Sequence, residues 1–297
     1  MKENQPSGTA QRVAMRRAAH QLLDNPKVFY DPLALRIIGQ EGAAVLQADP
    51  LQHESSRLSP YLRASLAARS RYAEEELADG LQRGVRQYVI LGAGLDTFAY
   101  RNPHLQDVLR VFEVDHPATQ IWKRARLEEV GIALPANLTF APVDFDRQTL
   151  EEGLREAGFD PGQCTFFSWL GVTPYLTTEG VMATLRFIAS MPAGSGVVFD
   201  YVLSPSLLAP RQMSSFNTLS QRVASMGEPW QAFFEPELLI KELQALGFGY
   251  IEDLGPEEVN ARYFSGPRLR KWPWALPTIA PLWIWEALTI CCGPWTP

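Results

Sequence analysis

Three short segments carry residue types that a nucleoside-binding site requires. Gly92-Ala93-Gly94 follows the apolar run Gln87 to Leu91, Glu113-Val114-Asp115 closes the run Leu109 to Asp115, and Asp144-Phe145 closes Leu138 to Phe145. Glycines without a Cβ let a ligand approach the backbone, whose amides can face it. An acid about 20 residues further on has the spacing that suits a ribose diol. A carboxylate at Asp144 can accept from an adenine amino group while the Phe145 ring lies against the base. All three sit at the carboxyl ends of predicted strands, where an open parallel sheet binds its ligand.

Dinucleotide-binding dehydrogenases share the paired glycines and the following acid, so an NAD-linked oxidoreductase is one reading of these residues. The dehydrogenase fingerprint asks for a third small residue three places after Gly94, and Thr97 stands there, followed by Phe98. Asp96 would also bring negative charge towards a pyrophosphate. S-adenosylmethionine (SAM) carries an ammonium and a sulfonium and tolerates neighbouring acids well.

The run VILGAGLDTFAYR (Val89 to Arg101) with VFEVDHPATQIWKR (Val111 to Arg124) resembles the leucine carboxyl methyltransferases and their bacterial relatives, including polyketide-tailoring O-methyltransferases. The likeness extends upstream to VFYDPLALRIIG (Val28 to Gly39) and downstream through PVDFDR, SWLGVTPYLT and ARYF, about Val13 to Phe264. It implies a class I methyltransferase fold with an N-terminal helical cap and SAM as methyl donor. By position it makes Gly92 and Gly94 the cofactor-facing turn, Asp115 the ribose ligand, and Asp144 with Phe145 the adenine site. Arg69, in LAARSRY, matches the arginine that holds the methionyl carboxylate, a task its bidentate fork suits; Arg17, in a basic first helix, is a second candidate. At one point the chain departs from the pattern. Many relatives carry an acid before the glycine that follows the fourth strand, but this chain reads Trp169-Leu170-Gly171, so Leu170 places an apolar wall where a ligand to the SAM amino group would stand.

Blander readings accompany these. Asp144 can cap the helix beyond Thr149 or pair with Arg147, and an arginine such as Arg69, between Arg63 and Arg71, ordinarily belongs to a solvated helix face. Tyr175, Tyr201 and Tyr263 lie where they can shape a substrate pocket, although a buried tyrosine more often only satisfies its hydroxyl. His20, His53, His104 and His116 are scattered, and no catalytic base is identifiable. Methyl transfer to a carboxylate needs none, because an acid of pKa near about 4 is already ionised at neutral pH. The sequence therefore favours a SAM-dependent O-methyltransferase acting on a carboxylate of a small secondary-metabolite acid. The alternatives are a phenolic or enolic hydroxyl acceptor, the NAD-linked enzyme, and a SAM-binding protein without turnover.

The elements that position these residues alternate. Two N-terminal helices are expected between Gln11 and Gly39 and a longer one over Ser59 to Gly80. Strands QYVIL, LRVFEVD, LTFAPVDF, CTFFSWLG, GVVFDYV and FGYIEDLG then interleave with helices at 118–130, 150–157, 178–190 and 236–247, the pattern of a doubly wound, mostly parallel α/β sheet. One domain is expected over 1–297: a helical cap over about 1–84, a core over 85–264 with a substrate-side insertion at about 203–235, and a tail over 265–297. The composition, 46% hydrophobic and 20% charged, supports a sizeable core, and a formal charge of -6 argues against a nucleic-acid partner. Cys164, Cys291 and Cys292 have neither metal-ligand nor disulfide spacing, which fits a reducing cytoplasm and no metal. From Trp272 to Pro297 the chain holds five of its eight Trp but is interrupted by Pro273, Pro277, Pro281 and Pro294. A tail packed on the domain is expected there in preference to a membrane span. The sequence does not define the oligomeric state.

Overall fold

The computed structural model describes residues 8–51, 59–102, 105, 107–145, 147–264 and 285–292, the last as backbone only. The rest of the Trp-rich terminal segment lies outside the described residues.

Five parallel strands form the centre of the fold: β1 (Gln87–Leu91), β2 (Arg110–Asp115), β3 (Leu138–Pro142), β4 (Thr165–Trp169) and β5 (Gly196–Val202). Two more strands complete the sheet, β6 (Tyr250–Leu254) and β7 (Trp285–Cys292), in the order β3-β2-β1-β4-β5-β7-β6. The chain winds outward in both directions from β1, so the switch between β1 and β4 opens a crevice at the carboxyl ends of the strands. Every residue of β1 is buried, as expected of a strand covered on both faces. Alternate side chains serve the two faces. Tyr88 and Ile90 pack with α4 (Ser59–Gln82) and α11 (Pro256–Tyr263), and Val89 and Leu91 with α8 (Thr178–Ala189) and α10 (Pro236–Ala245).

The N-terminal layer contains α1 (Gly8–Leu23), α2 (Ala34–Ile37) and α3 (Gly39–Ala48) as well as α4. Gly39, at φ 83°, turns the chain between α2 and α3. The expected end of the second helix at Gly39 is correct, but a third helix begins there. The small α1 residues Ala14, Ala18 and Ala19 let this layer approach Leu95 in the loop after β1 and Leu127 of α6 (Pro117–Glu129).

Two elements go beyond the sequence reading. The stretch after β5 contains the helix α9 (Pro210–Ser225), and its ends are drawn together where Ser204 N–H donates to Phe234 O at 2.8 Å and Phe234 N–H to Val202 O at 2.9 Å. More unexpectedly, Trp285–Cys292 is a strand of the sheet, antiparallel to both β5 and β6 and lying between them. Its residues WEALTICC follow a proline-broken apolar run, and composition hides such a strand because its partners are distant in sequence. Among the described residues no helix is long and apolar enough to cross a membrane.

An ion pair is buried between α6 and the sheet. Lys123 Nζ of α6 lies 2.6 Å from Glu113 Oε2 of β2, and the two side chains are 2% and 0% exposed. Burial pushes the Glu113 carboxyl up to about 7, with Lys123 and the Tyr100 hydroxyl opposing the rise. Removing one member strands a buried charge, so Lys123→Met is expected to cost about 3–5 kcal/mol in urea unfolding, whereas Glu113→Gln/Lys123→Met should cost much less. Without Lys123 the Glu113 pKa rises further above its ordinary value, and the single variant's loss should shrink progressively as pH falls from there towards the ordinary carboxylate range, where Glu113 is neutral whether folded or unfolded. Equal losses for single and double variants would contradict this coupling.

Candidate functional site

The expected cofactor residues fall along the carboxyl edge of the sheet in strand order. Asp144 and Phe145 follow β3, Asp115 ends β2, Gly92 and Gly94 follow β1, Leu170 and Gly171 follow β4, and Asp200 lies within β5.

Gly92 and Gly94 have φ of 66° and 46°, values that disfavour any residue with a side chain. A Cβ on Gly92 would overlap Val172, and one on Gly94 would stand 3.0 Å from the Ala10 Cβ of α1. The turn is therefore enclosed between the loop after β4 and the first helix. Asp115 fastens it: Oδ2 accepts from Gly94 N–H at 2.6 Å and Oδ1 from His116 N–H at 2.7 Å. Burial pushes the Asp115 carboxyl above its ordinary range, against the pull of those two amides. The Thr119 side chain also bonds to this carboxylate. Next to it, Val143 N–H donates to Asp115 O at 3.0 Å and draws the loop after β3 alongside. On that loop Asp144 faces Arg147 at 3.4 Å, and the Phe145 ring is 49% exposed, an apolar surface placed for stacking.

At the other end of the crevice, α4 delivers Arg69. Its Nη1 lies 2.5 Å from Asp200 Oδ2, with both side chains buried, and Asp200 Oδ1 accepts from Gly171 N–H at 2.6 Å. A Cβ on Gly171 would come within 2.7 Å of Arg69 Nη2, so the glycine is what admits the guanidinium. Asp200 was not among the residues expected from sequence. The signal for it was a lone carboxylate inside the apolar run GVVFDYV.

Arg17 has a different setting. Its Nη2 donates to Asp31 Oδ2 at 2.7 Å and to Thr97 Oγ1 at 3.0 Å, and its Nη1 to Asp96 Oδ2 at 3.2 Å. Thr97 Oγ1 donates in turn to Asp31 Oδ2 at 2.7 Å, and Arg101 Nε lies 3.9 Å from Asp31 Oδ1 while its guanidinium pairs with Glu74. Burial opposes ionisation of Asp96, but Arg17, Lys123 and Arg101 together hold its carboxyl below the ordinary range. The acid and threonine after the glycine turn thus bind the helical layer to the turn.

Of the three tyrosines, Tyr175 lies beside the insertion. Its ring packs against a cluster built on Val202, Phe216 and Trp230, and its hydroxyl bonds to the side chains of Trp230 and Thr9. Tyr201 points to the other face of β5, packed against Phe199 and Phe234 with its hydroxyl on Asp253 at 3.0 Å. Tyr263, on α11, donates to Glu75 at 2.7 Å. The structure does not bring these last two to the insertion's apolar cluster. The first turn of α1 meets the insertion, where Thr9 donates to Glu228.

The family model for leucine carboxyl methyltransferase matches residues 10–189. A protein of Bacillus subtilis (strain 168) named for S-adenosyl-L-methionine-dependent methyl transfer is 33% identical over 285 residues, 89% of this chain and 93% of the relative. One of Mycobacterium ulcerans (strain Agy99), named for the same activity, is 29% identical over 250 residues, 82% of this chain and 78% of the relative. Among solved structures, a Thermobifida fusca protein named for methyl transfer superimposes with a TM-score of 0.54 at 17% identity, covering 99% of this chain and 97% of its own. A DUF574 protein of Streptomyces avermitilis also gives 0.54, at 15% identity, covering 95% and 97%. These structural likenesses speak for the fold, which is the class I methyltransferase arrangement with an N-terminal helical region.

The network around Asp31 generates a test. Asp31→Asn leaves Arg17 and Arg101 short of a buried counter-charge and is expected to destabilise by about 3–5 kcal/mol. Hydrogen exchange should then accelerate in α1 before it does in β1 and β4. Uniform acceleration across the sheet would show that Asp31 does not specifically hold the helical layer.

Proposed function

We propose, on the premise that the chain belongs to the leucine carboxyl methyltransferase family and is a SAM-dependent methyltransferase, that its acceptor is a carboxylate of a small, largely apolar acid of the secondary-metabolite type. Membership removes the nicotinamide reading of the glycine turn. We assign Arg69 to the methionyl carboxylate, Gly92 and Gly94 to the cofactor-facing turn, Asp115 to the ribose and Asp144 with Phe145 to adenine. Arg17 is committed to Asp31 and Asp96. The residues suit such a cofactor on their own chemistry: a half-exposed ring, an acceptor at the end of β2, and a buried Arg–Asp pair, in that order along the sheet edge.

The observation that carries the carboxylate reading is how the histidines are used. His20 Nδ1 lies 2.6 Å from Asp24 Oδ2 while its Nε2 accepts from Phe29 N–H at 3.1 Å, and His116 Nδ1 caps α6 by accepting from Ala118 N–H at 3.2 Å. Both are occupied by structural bonds; His53 and His104 lie outside the described residues. An acceptor that arrives ionised needs neither.

SAM, when bound, supplies an electrophilic methyl group on a positively charged sulfur. What the chain then contributes is alignment and dryness. We assign the apolar cluster of Val202, Phe216 and Trp230, with Tyr175 and Met213 against it, to the side of the site that receives the body of the acid. Tyr175 is held by Thr9 of α1 and by Trp230, so α1 and the insertion meet at this cluster. The reducing cytoplasm is the compartment this reading places it in, in keeping with the free Cys164.

For a carboxylate acceptor, single-turnover kcat/KM should stay flat from about pH 6 to 8, because the substrate's own pKa near 4 is passed and no enzyme base titrates. The product should be a methyl ester that mild alkali saponifies; a base-stable methyl ether would establish a hydroxyl acceptor. Cofactor binding without turnover on any acid or phenol would point to a SAM-binding protein without catalysis. Asp115→Ala should weaken binding of S-adenosylhomocysteine by about 1.5–3 kcal/mol in calorimetry, the scale of hydrogen bonds to a charged group. Wild-type affinity in that variant would remove Asp115 from the ribose site.

A further inference from the structure

Relatives with an acid before the glycine that follows the fourth strand have a carboxylate for the SAM amino group at a position where this chain has Leu170. The structure places another carboxylate beside that position. In the β4–β5 register Trp169 stands opposite Phe199, and one further step along both strands brings Leu170 beside Asp200. The Asp200 side chain reaches across to this loop, where Oδ1 accepts from Gly171 N–H at 2.6 Å. Its other oxygen meets Arg69, and the residue is only 5% exposed.

We propose that Asp200 binds the α-ammonium of SAM in this chain, one strand over from the acid it replaces. The proposal rests on the SAM reading of the site and extends it. An α-amino acid carries a carboxylate and an ammonium on the same carbon, and Arg69 with Asp200 presents the two opposite charges side by side. As the cofactor's carboxylate engages the guanidinium, part of the Arg69 charge is withdrawn from Asp200, and the ammonium restores the balance. Leu170 cannot contribute to this exchange. Gly171 has two functions in the arrangement, its N–H holding the Asp200 carboxylate and its missing side chain leaving room for the Arg69 fork. Thr173 Oγ1 donates to the Asp200 carbonyl and further fixes the β5 backbone against the loop after β4.

The test is calorimetric binding of S-adenosylhomocysteine and of its desamino analogue, which lacks only the α-amino group, to the full chain and to Asp200→Asn. Asparagine keeps an acceptor for Gly171 N–H and removes the charge. The wild type should prefer S-adenosylhomocysteine by about 10- to 100-fold, as hydrogen bonds to charged groups do. Asp200→Asn should lose that preference, so that the two ligands bind it with similar affinity. Equal losses for both ligands would make Asp200 a positioning residue for Arg69 and overturn the assignment, as would unchanged affinity for both. Equal affinity of the wild type for the two ligands would overturn the assignment even if the variant does not fold, because no residue would then read the ammonium. Failure of the wild type to bind S-adenosylhomocysteine at all would instead count against the underlying SAM reading.

Discussion

Asp31 has no side-chain exposure, and a carboxylate that far from water must be matched by donors and opposite charge. Arg17, Arg101 and Thr97 meet that requirement from two different elements, one guanidinium coming from α1 and the other groups from the loop and short helix after β1. The consequence is geometric. Because neither partner can leave without stranding a buried charge, α1 is held against the glycine turn. Arg101 is further anchored by Glu74 of α4 and by the Phe29 ring, 4.9 Å from its guanidinium carbon. The same network therefore ties α4, and with it the helix that carries Arg69, to the turn.

The binding edge follows from strand order. Neighbouring strands lie about 4.8 Å apart, so ligand groups spaced along an extended nucleoside with an amino-acid tail meet successive strand ends. In the order β3-β2-β1-β4-β5 these ends offer a ring with an acid, an acid, a side-chain-free turn, an apolar step and a buried ion pair. Polar groups at the two ends and close backbone approach in the middle are what a long, charged and partly aromatic cofactor demands. The departure at Leu170 alters this line locally without breaking it, because the adjacent strand carries a carboxylate at the neighbouring register position.

At the carboxyl end of β5 lies a smaller, separate apolar cluster, formed where the excursion after β5 folds back. Phe216 and Trp230 pack with ring centroids 5.6 Å apart, and Phe216 and Phe233 at 5.8 Å. This cluster shares no side chain with the two main cores and joins the sheet through Val202 at the end of β5. Its contact with α1 passes through Thr9, Glu228 and Tyr175, polar groups at the surface of an apolar wall.

Local patterning by itself determined the alternating elements, the turn at Gly92 and Gly94 and the acids that end the strands, because period, glycine conformation and strand-end position are properties of short segments. Motif resemblance added Arg69. What only the tertiary structure decided depends on residues distant in sequence. Trp285–Cys292 becomes a strand because β5 and β6 leave a gap for it, a fact no window around WEALTICC contains. Asp96, Thr97 and Arg17 read as cofactor-side residues or bystanders until Asp31, from a separate motif, turns them into a clamp. Asp200 was visible as a carboxylate in an apolar strand, but its meaning arises from Arg69 on α4 and Gly171 after β4. A buried charge is defined by its partners, and those partners are brought together only when the chain folds.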